Sequence, residues 1–158
     1  MNKEALQKWA LGSEIVGAVA VVATLVFLII ETRENTETIR SQTYLQLTAE
    51  LNEQRRYLVN DEINALMYVV LTDGIDALEA PDQFRVINLW QATWAVYESG
   101  FYSFQRGTLG EDEWHRYLIA ICRTKFALPT LWEREEGASI SGSITPAFKQ
   151  YVDSSCRQ

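Results

Sequence analysis

Side chains that perform most enzyme chemistry are scarce in this chain of 158 residues, which has one histidine, His115, and two cysteines, Cys122 and Cys156. Any mechanism needing two imidazoles is excluded, and a structural zinc site, which takes four Cys or His ligands, lacks enough of them. A di-iron bundle centre calls for a Glu-x-x-His pair on each of two helices, so it fails on the same count. Asp112 and His115 stand three apart and could share a helix face, but an exposed helix start accounts for both. The stretch GASISG, Gly137 to Gly142, departs from a nucleophile elbow at Ser141, where that turn requires a second glycine, and no strand pattern precedes it. No GxGxxG, Walker loop or CxxC occurs. Hence no catalytic residue, metal ligand or cofactor is assigned. Cys122 falls on an apolar helix face and reads as a small core residue; Cys156, in the tail, is not expected to meet it.

Glu98 is the acid with the most to offer. It follows Tyr97 and stands one turn from Trp94 and Phe101, so it is either buried against an arginine or tyrosine hydroxyl, or a wet carboxylate at the edge of an apolar stripe. That stripe, Ile87, Trp90, Trp94, Tyr97, Phe101 and Phe104, repeats at three and four residues and marks the central helix of a bundle. Its rings are a candidate ligand pocket formed by Trp90, Trp94, Tyr97, Glu98 and Phe101, although aromatic core packing explains the pattern with fewer assumptions.

The elements that must hold these residues follow from charge and hydropathy. Fourteen Lys and Arg against twenty-one Asp and Glu give a net charge of -7, which argues against nucleic acid as a partner and against an anionic lipid surface as the main partner of the folded part. With 47% hydrophobic residues, 22% charged and three prolines, the polar part is one folded domain. The exceptional segment is Ile15 to Ile30, IVGAVAVVATLVFLII, sixteen residues without a charge and with Thr24 as the one polar side chain. Sixteen residues of helix cover roughly 24 Å, and extension back to Trp9 reaches roughly 33 Å, enough for a ~30 Å hydrocarbon core. Eleven Val, Ile, Leu or Phe residues favour insertion by about 3–7 kcal/mol.

A cleaved signal peptide is the main rival, because Lys3 and Lys8 give a charged start and Ala18-Val19-Ala20 has the form of a cleavage site. Cutting there would split the apolar run and leave Val21 to Ile30 as a bare hydrophobic terminus, so a retained anchor is expected. A helix buried in a soluble oligomer is the other alternative. Lys3 and Lys8 on one side balance Arg33 and Arg40 on the other, which leaves the side of the domain undecided.

Within the span, Ser13, Gly17, Ala20 and Thr24 place small residues along one helix face, either for close approach of another helix or as ordinary membrane composition. Glu14 lies to one side of that face and either belongs to the interface or extends its carboxylate to the headgroups. No Pro or Gly occurs between Ile30 and Gly74, and Ile39, Thr43, Leu47, Leu51 and Leu58 keep one face apolar or semi-apolar, so the helix is expected to run on to about Tyr57 as a rigid link. Asn60 is the expected N-cap of a second helix ending at Asp73-Gly74, with Ile63, Leu66, Met67 and Val70 inward. Pro81 opens the aromatic helix and Gly107 stops it. A fourth helix starts near Gly110 and buries Trp114, Leu118, Ile121 and Cys122 before Pro129. A short helix anchored by Leu131 and Trp132 and ended by Gly137 comes next, then a Ser- and Gly-rich loop from Ala138 to Ser143. Thr145 caps a last helix with Pro146 in its first turn and Phe148, Tyr151 and Val152 buried.

The residues Gly12-Ser13-Glu14-Ile15-Val16-Gly17-Ala18-Val19-Ala20-Val21-Val22, then Glu31-Thr32-Arg33-Glu34-Asn35-Thr36 and Gln42-Thr43-Tyr44, carry a likeness. The chain resembles an uncharacterised family of small bacterial membrane-anchored helical proteins with a GE-x-x-GA-x-AVV anchor, an R-x-NT motif beyond it, and a short helix containing Trp. Gly107-Thr108-Leu109 and Trp132 match the later part; Ser13, between Gly12 and Glu14, departs from the anchor motif. The resemblance implies a bacterial inner-membrane location and no enzyme activity. Arg33, Asn35 and Thr36 would leave the bilayer at headgroup level, where they either contact lipid phosphate or a partner's loop, or form ordinary solvated helix surface.

The expectation is an all-α protein, with an anchor over residues 1–31 and a polar helical bundle over 32–158. Its partners are the lipid bilayer and a membrane protein or a second copy of itself, in an accessory or scaffolding role. The alternative is a membrane-tethered ligand sensor or enzyme built on the aromatic pocket.

Overall fold

The computed structural model describes the backbone of residues 3–133 and 143–157, and the side chains of those residues except 3–13, 15 and 130. The described residues form helices and connecting turns and contain no strand. The order is α1 (Lys3–Leu58), α2 (Asp61–Asp73), α3 (Ala80–Gln105), α4 (Glu111–Ala127), α5 (Pro129–Glu133) and α6 (Pro146–Ser155), with a 3-10 turn at Ile75–Ala77. The all-α expectation holds, and the apolar N-terminal helix continues without a break into the polar part. The chain divides into two compact units, Met1–Ile39 and Arg40–Gln158. Hydropathy changes at Glu31, whereas tertiary packing of the second unit begins at Arg40.

In the first unit, α1 is alone. An 18-residue window of Val16–Leu58 has a mean hydropathy of 2.0 and none of it is buried. Val16 and Ile30, at the two ends of the apolar run, are 69% and 52% exposed. Among the described residues, one helix is therefore long and apolar enough to cross a membrane.

In the second unit, local chemistry sets the helix ends. Asn60 accepts a hydrogen bond from the N–H of Glu62 at 2.9 Å and starts α2, while Gly74, at φ 87°, ends it. α3 stops at Gly107, whose φ of 74° suits a residue without Cβ. The N–H groups of Gly107 and Thr108 there bond to the carbonyls of Phe104 and Ser103, a Schellman end. Thr145 caps α6 with Pro146 in the first turn.

The core is built on α3. Trp94, Tyr97 and Phe101 are buried as the spacing predicts, but so are Val86, Thr93, Val96 and Gly100. A stripe of period 3.5 describes a helix with one neighbour; α3 is covered on more than one side and buries a wider arc. A Cβ placed on Gly100 would meet Trp114 at 3.5 Å and Leu47 at 3.7 Å, so α1, α3 and α4 converge there. On α4 the buried set is Trp114, Tyr117 and Ile121, with Leu118 and Cys122 half-buried, so the inward face is turned toward Tyr117. Leu131 and Trp132 of α5, and Phe148 and Val152 of α6, close the core.

One expectation is overturned. Cys122 and Cys156 form a disulfide, with Cα atoms 5.2 Å apart. The tail does not run free: α6 lays Phe148 and Val152 into the core, and its C-terminal end brings Cys156, itself 5% exposed, against α4. The bridge closes a loop with a sequence separation of 34.

Candidate functional site

The small-residue face of α1 is regular helix. Gly17, Ala20 and Thr24 lie on exposed surface, and a Cβ added at Gly17 meets nothing within 4 Å. The hydroxyl of Thr24 donates to the Ala20 carbonyl at 2.9 Å, so this polar group is satisfied within its own helix and adds no cost in an apolar medium. Glu14 is exposed; the side chain of Ser13 lies outside the described residues.

Arg33, Asn35 and Thr36 are all exposed on α1. Thr36 donates to the Thr32 carbonyl at 2.8 Å and Thr32 to the Leu28 carbonyl at 2.7 Å, so of the three residues Arg33 and Asn35 are the ones whose polar groups point outward, among the exposed Glu31, Glu34 and Glu37. In the second unit Arg40 has a defined place, with its Nε donating to the Gly107 carbonyl at 3.0 Å. That bond ties α1 to the end of α3.

The five proposed pocket residues have different surroundings among the described residues. Trp94 packs on Trp132 at a centroid distance of 4.6 Å, and Phe101 on Tyr151 at 4.8 Å and Phe148 at 5.3 Å; both are core. Trp90 and Tyr97 line a cleft of 110 Å³ with Leu51, Arg55, Leu58 and Leu89. Glu98 faces α6 instead and accepts from the Thr145 N–H at 2.9 Å and from the Thr145 hydroxyl. Because that hydroxyl gives its proton to Glu98, its lone pairs accept from the Tyr102 phenol at 2.8 Å and from the Phe148 N–H at 3.5 Å. Glu98 is thus a partner of the α6 N-terminus.

Two clusters went unread in the sequence. Asp153 of α6 accepts from Lys125 at 2.7 Å, Lys149 at 2.9 Å and the Trp132 indole at 2.9 Å. Burial pushes its carboxyl up, but the two ammonium groups and the indole outweigh that and hold it at about 2. Both lysines also lie over the Trp132 ring, at 5.5 and 5.2 Å.

The second cluster is a cleft of 160 Å³ between α1 and α4, lined by Tyr44, Thr48, Leu51, Asn52, Arg55, Arg116, Tyr117 and Ala120. Leu51 and Arg55 are shared with the 110 Å³ cleft, so the two adjoin. Tyr117 and Thr48 hydroxyls bond at 3.2 Å in its wall, and the Tyr44 ring meets Tyr117 edge-on at 6.4 Å. Burial pushes the Tyr117 phenol above its ordinary value, so it stays a neutral hydroxyl at physiological pH. A clue was present in the sequence: Tyr44, Thr48, Leu51, Asn52 and Arg55 recur at helical spacing on one face.

Among the described residues no three His, Cys, Asp or Glu side chains group as a metal site, and Asp112 and His115 are both exposed. The GASISG segment and the expected end at Gly137 lie outside the described residues. No protein family, curated protein or solved structure matches the chain.

Proposed function

We propose that this is a single-pass membrane protein whose helical domain serves as a non-catalytic accessory or scaffolding module, assembling with a membrane partner or with a second copy. The observation that carries the reading is that no apolar side chain from Val16 to Ile30 is buried, whereas the bundle buries its own apolar residues. A soluble chain leaving that surface in water would forgo about 25 cal/mol for each Å² of it, so an apolar surrounding is required. The likeness of the anchor motifs to the small bacterial anchored family supports a retained anchor and a non-catalytic domain, and with them a place in a bacterial inner membrane.

The disulfide supports an orientation. Bridges persist where the surroundings are oxidising, so the domain lies on that side, with Lys3 and Lys8 on the reducing side. Gly17 and Ala20, open along the span, are the contact face of this reading, and Arg33 and Asn35 are its polar contacts at headgroup level.

Cross-linking in native membranes followed by mild detergent extraction tests the role. A discrete species larger than the monomer is expected for the full chain and should be lost in Gly17→Leu, a change that leaves the chain's own packing intact because nothing lies within reach of that position. Recovery of monomer alone from the unaltered chain would overturn the scaffolding role.

A further inference from the structure

We infer that the two adjoining clefts between α1, α3 and α4 are a binding site for a small amphipathic anion, a carboxylate or phosphate carried on a compact apolar body. The inference does not depend on the scaffolding role or on the side of the membrane.

Charge carries the first half. The chain has a net charge of -7, yet Arg55 and Arg116 both line the 160 Å³ cleft and no carboxylate is among its described lining residues. Arg55 reaches only Asn52, at 3.4 Å, within its own helix, and Arg116 makes no ion pair or hydrogen bond among the described residues. Three other cations of the bundle are in ion pairs, Arg85 with Glu62 and Asp82, and Lys125 and Lys149 with Asp153. Two forked guanidinium groups from different helices, beside Asn52 and the neutral hydroxyls of Thr48 and Tyr117, form a donor set for a carboxylate or phosphate.

Shape carries the second half. On the other side of Leu51 and Arg55 lies the 110 Å³ cleft, whose wall includes Leu58, Leu89, Trp90 and Tyr97 beside Gln54, Thr93 and Thr124. The Trp90 indole N–H in that wall is buried and has no acceptor among the described residues. An anion held at Arg55 and Arg116 therefore has an apolar slot beside it for an aromatic ring or short chain, with one polar atom tolerated near Trp90.

The probe is phenyl phosphate, titrated by calorimetry against the full-length protein in phosphatidylcholine nanodiscs, with benzyl alcohol as the neutral control. Saturable binding of phenyl phosphate and none of benzyl alcohol is expected. Arg55→Gln and Arg116→Gln should each weaken it about tenfold or more, as loss of a charge-assisted bond does. Both arginines are exposed, so an unchanged thermal melt of each variant separates loss of binding from loss of fold. Repeating the titration in phosphatidylglycerol nanodiscs distinguishes the source. Weaker apparent affinity there means that a lipid headgroup occupies the same donors, and equal affinity means that the anion comes from solution; both support the site. No binding, or binding indifferent to both arginine changes, would overturn it.

Discussion

Residues 16–30 and the bundle from Arg40 onward use the same Val, Ile, Leu and Phe side chains with opposite results. Val21 and Val22 are each 60% exposed, whereas Val86 and Val152 are fully buried. Pattern, rather than composition, makes the difference. In α3 and α6 apolar residues recur at three and four, so each helix shows a face that neighbouring helices cover. Between Val16 and Ile30 they run around the whole circumference, and all of them are exposed. Such a helix is long and apolar enough to cross a membrane.

The contrast can be broken most severely in the core. Phe148→Ala empties a fully buried site between Trp94 and Phe101 and should cost about 3–5 kcal/mol of bundle stability, while Val22→Ala in the span should leave the bundle melt unchanged. Equal effects from both changes would erase the distinction between the two regions. Replacing Cys122 and Cys156 together by Ser releases a loop with a sequence separation of 34 and should lower stability by about 3–4 kcal/mol. The same pair should take up a maleimide in the folded, membrane-bound protein only after reduction; labelling without reductant would place the domain on the reducing side.

A smaller effect is expected at Glu98. Glu98→Ala removes the acceptor of the Thr145 N–H and hydroxyl and should cost about 1–2 kcal/mol; a loss below about 0.5 kcal/mol would mean the carboxylate is only a wet surface group. The least effect should come from acid. The Asp153 carboxyl is depressed in the folded state from 3.8 to about 2, so its contribution is complete above the ordinary carboxylate range and disappears as pH falls through about 2. Its side chain is 40% exposed, which with screening keeps the loss below about 1 kcal/mol. Asp153→Asn should remove that part of the pH dependence, as measured by denaturant melts at pH 4 and pH 2.

Features governed by neighbours in sequence were legible. The caps at Asn60 and Thr145, the stop at Gly107 and the continuity of α1 past Ile30 follow from local backbone chemistry and the absence of breakers. What depends on residues far apart in the chain was not. Cys156 meets Cys122 because α6 docks its Phe148 face, and Glu98 meets Thr145, 47 positions away, for the same reason. The α4 face turned from Leu118 toward Tyr117 because α1 presents Tyr44 and Thr48 there. The paired arginines of the cleft come from separate helices, and their spacing in sequence carries no sign of it.

Membrane retention of the full chain tests the central claim most directly. After alkaline carbonate washing, the protein is expected in the membrane pellet with residues 1–30 intact by mass spectrometry, and released only by detergent. Recovery of the same intact chain from the supernatant, or of a mature chain cut within that segment, would contradict the account.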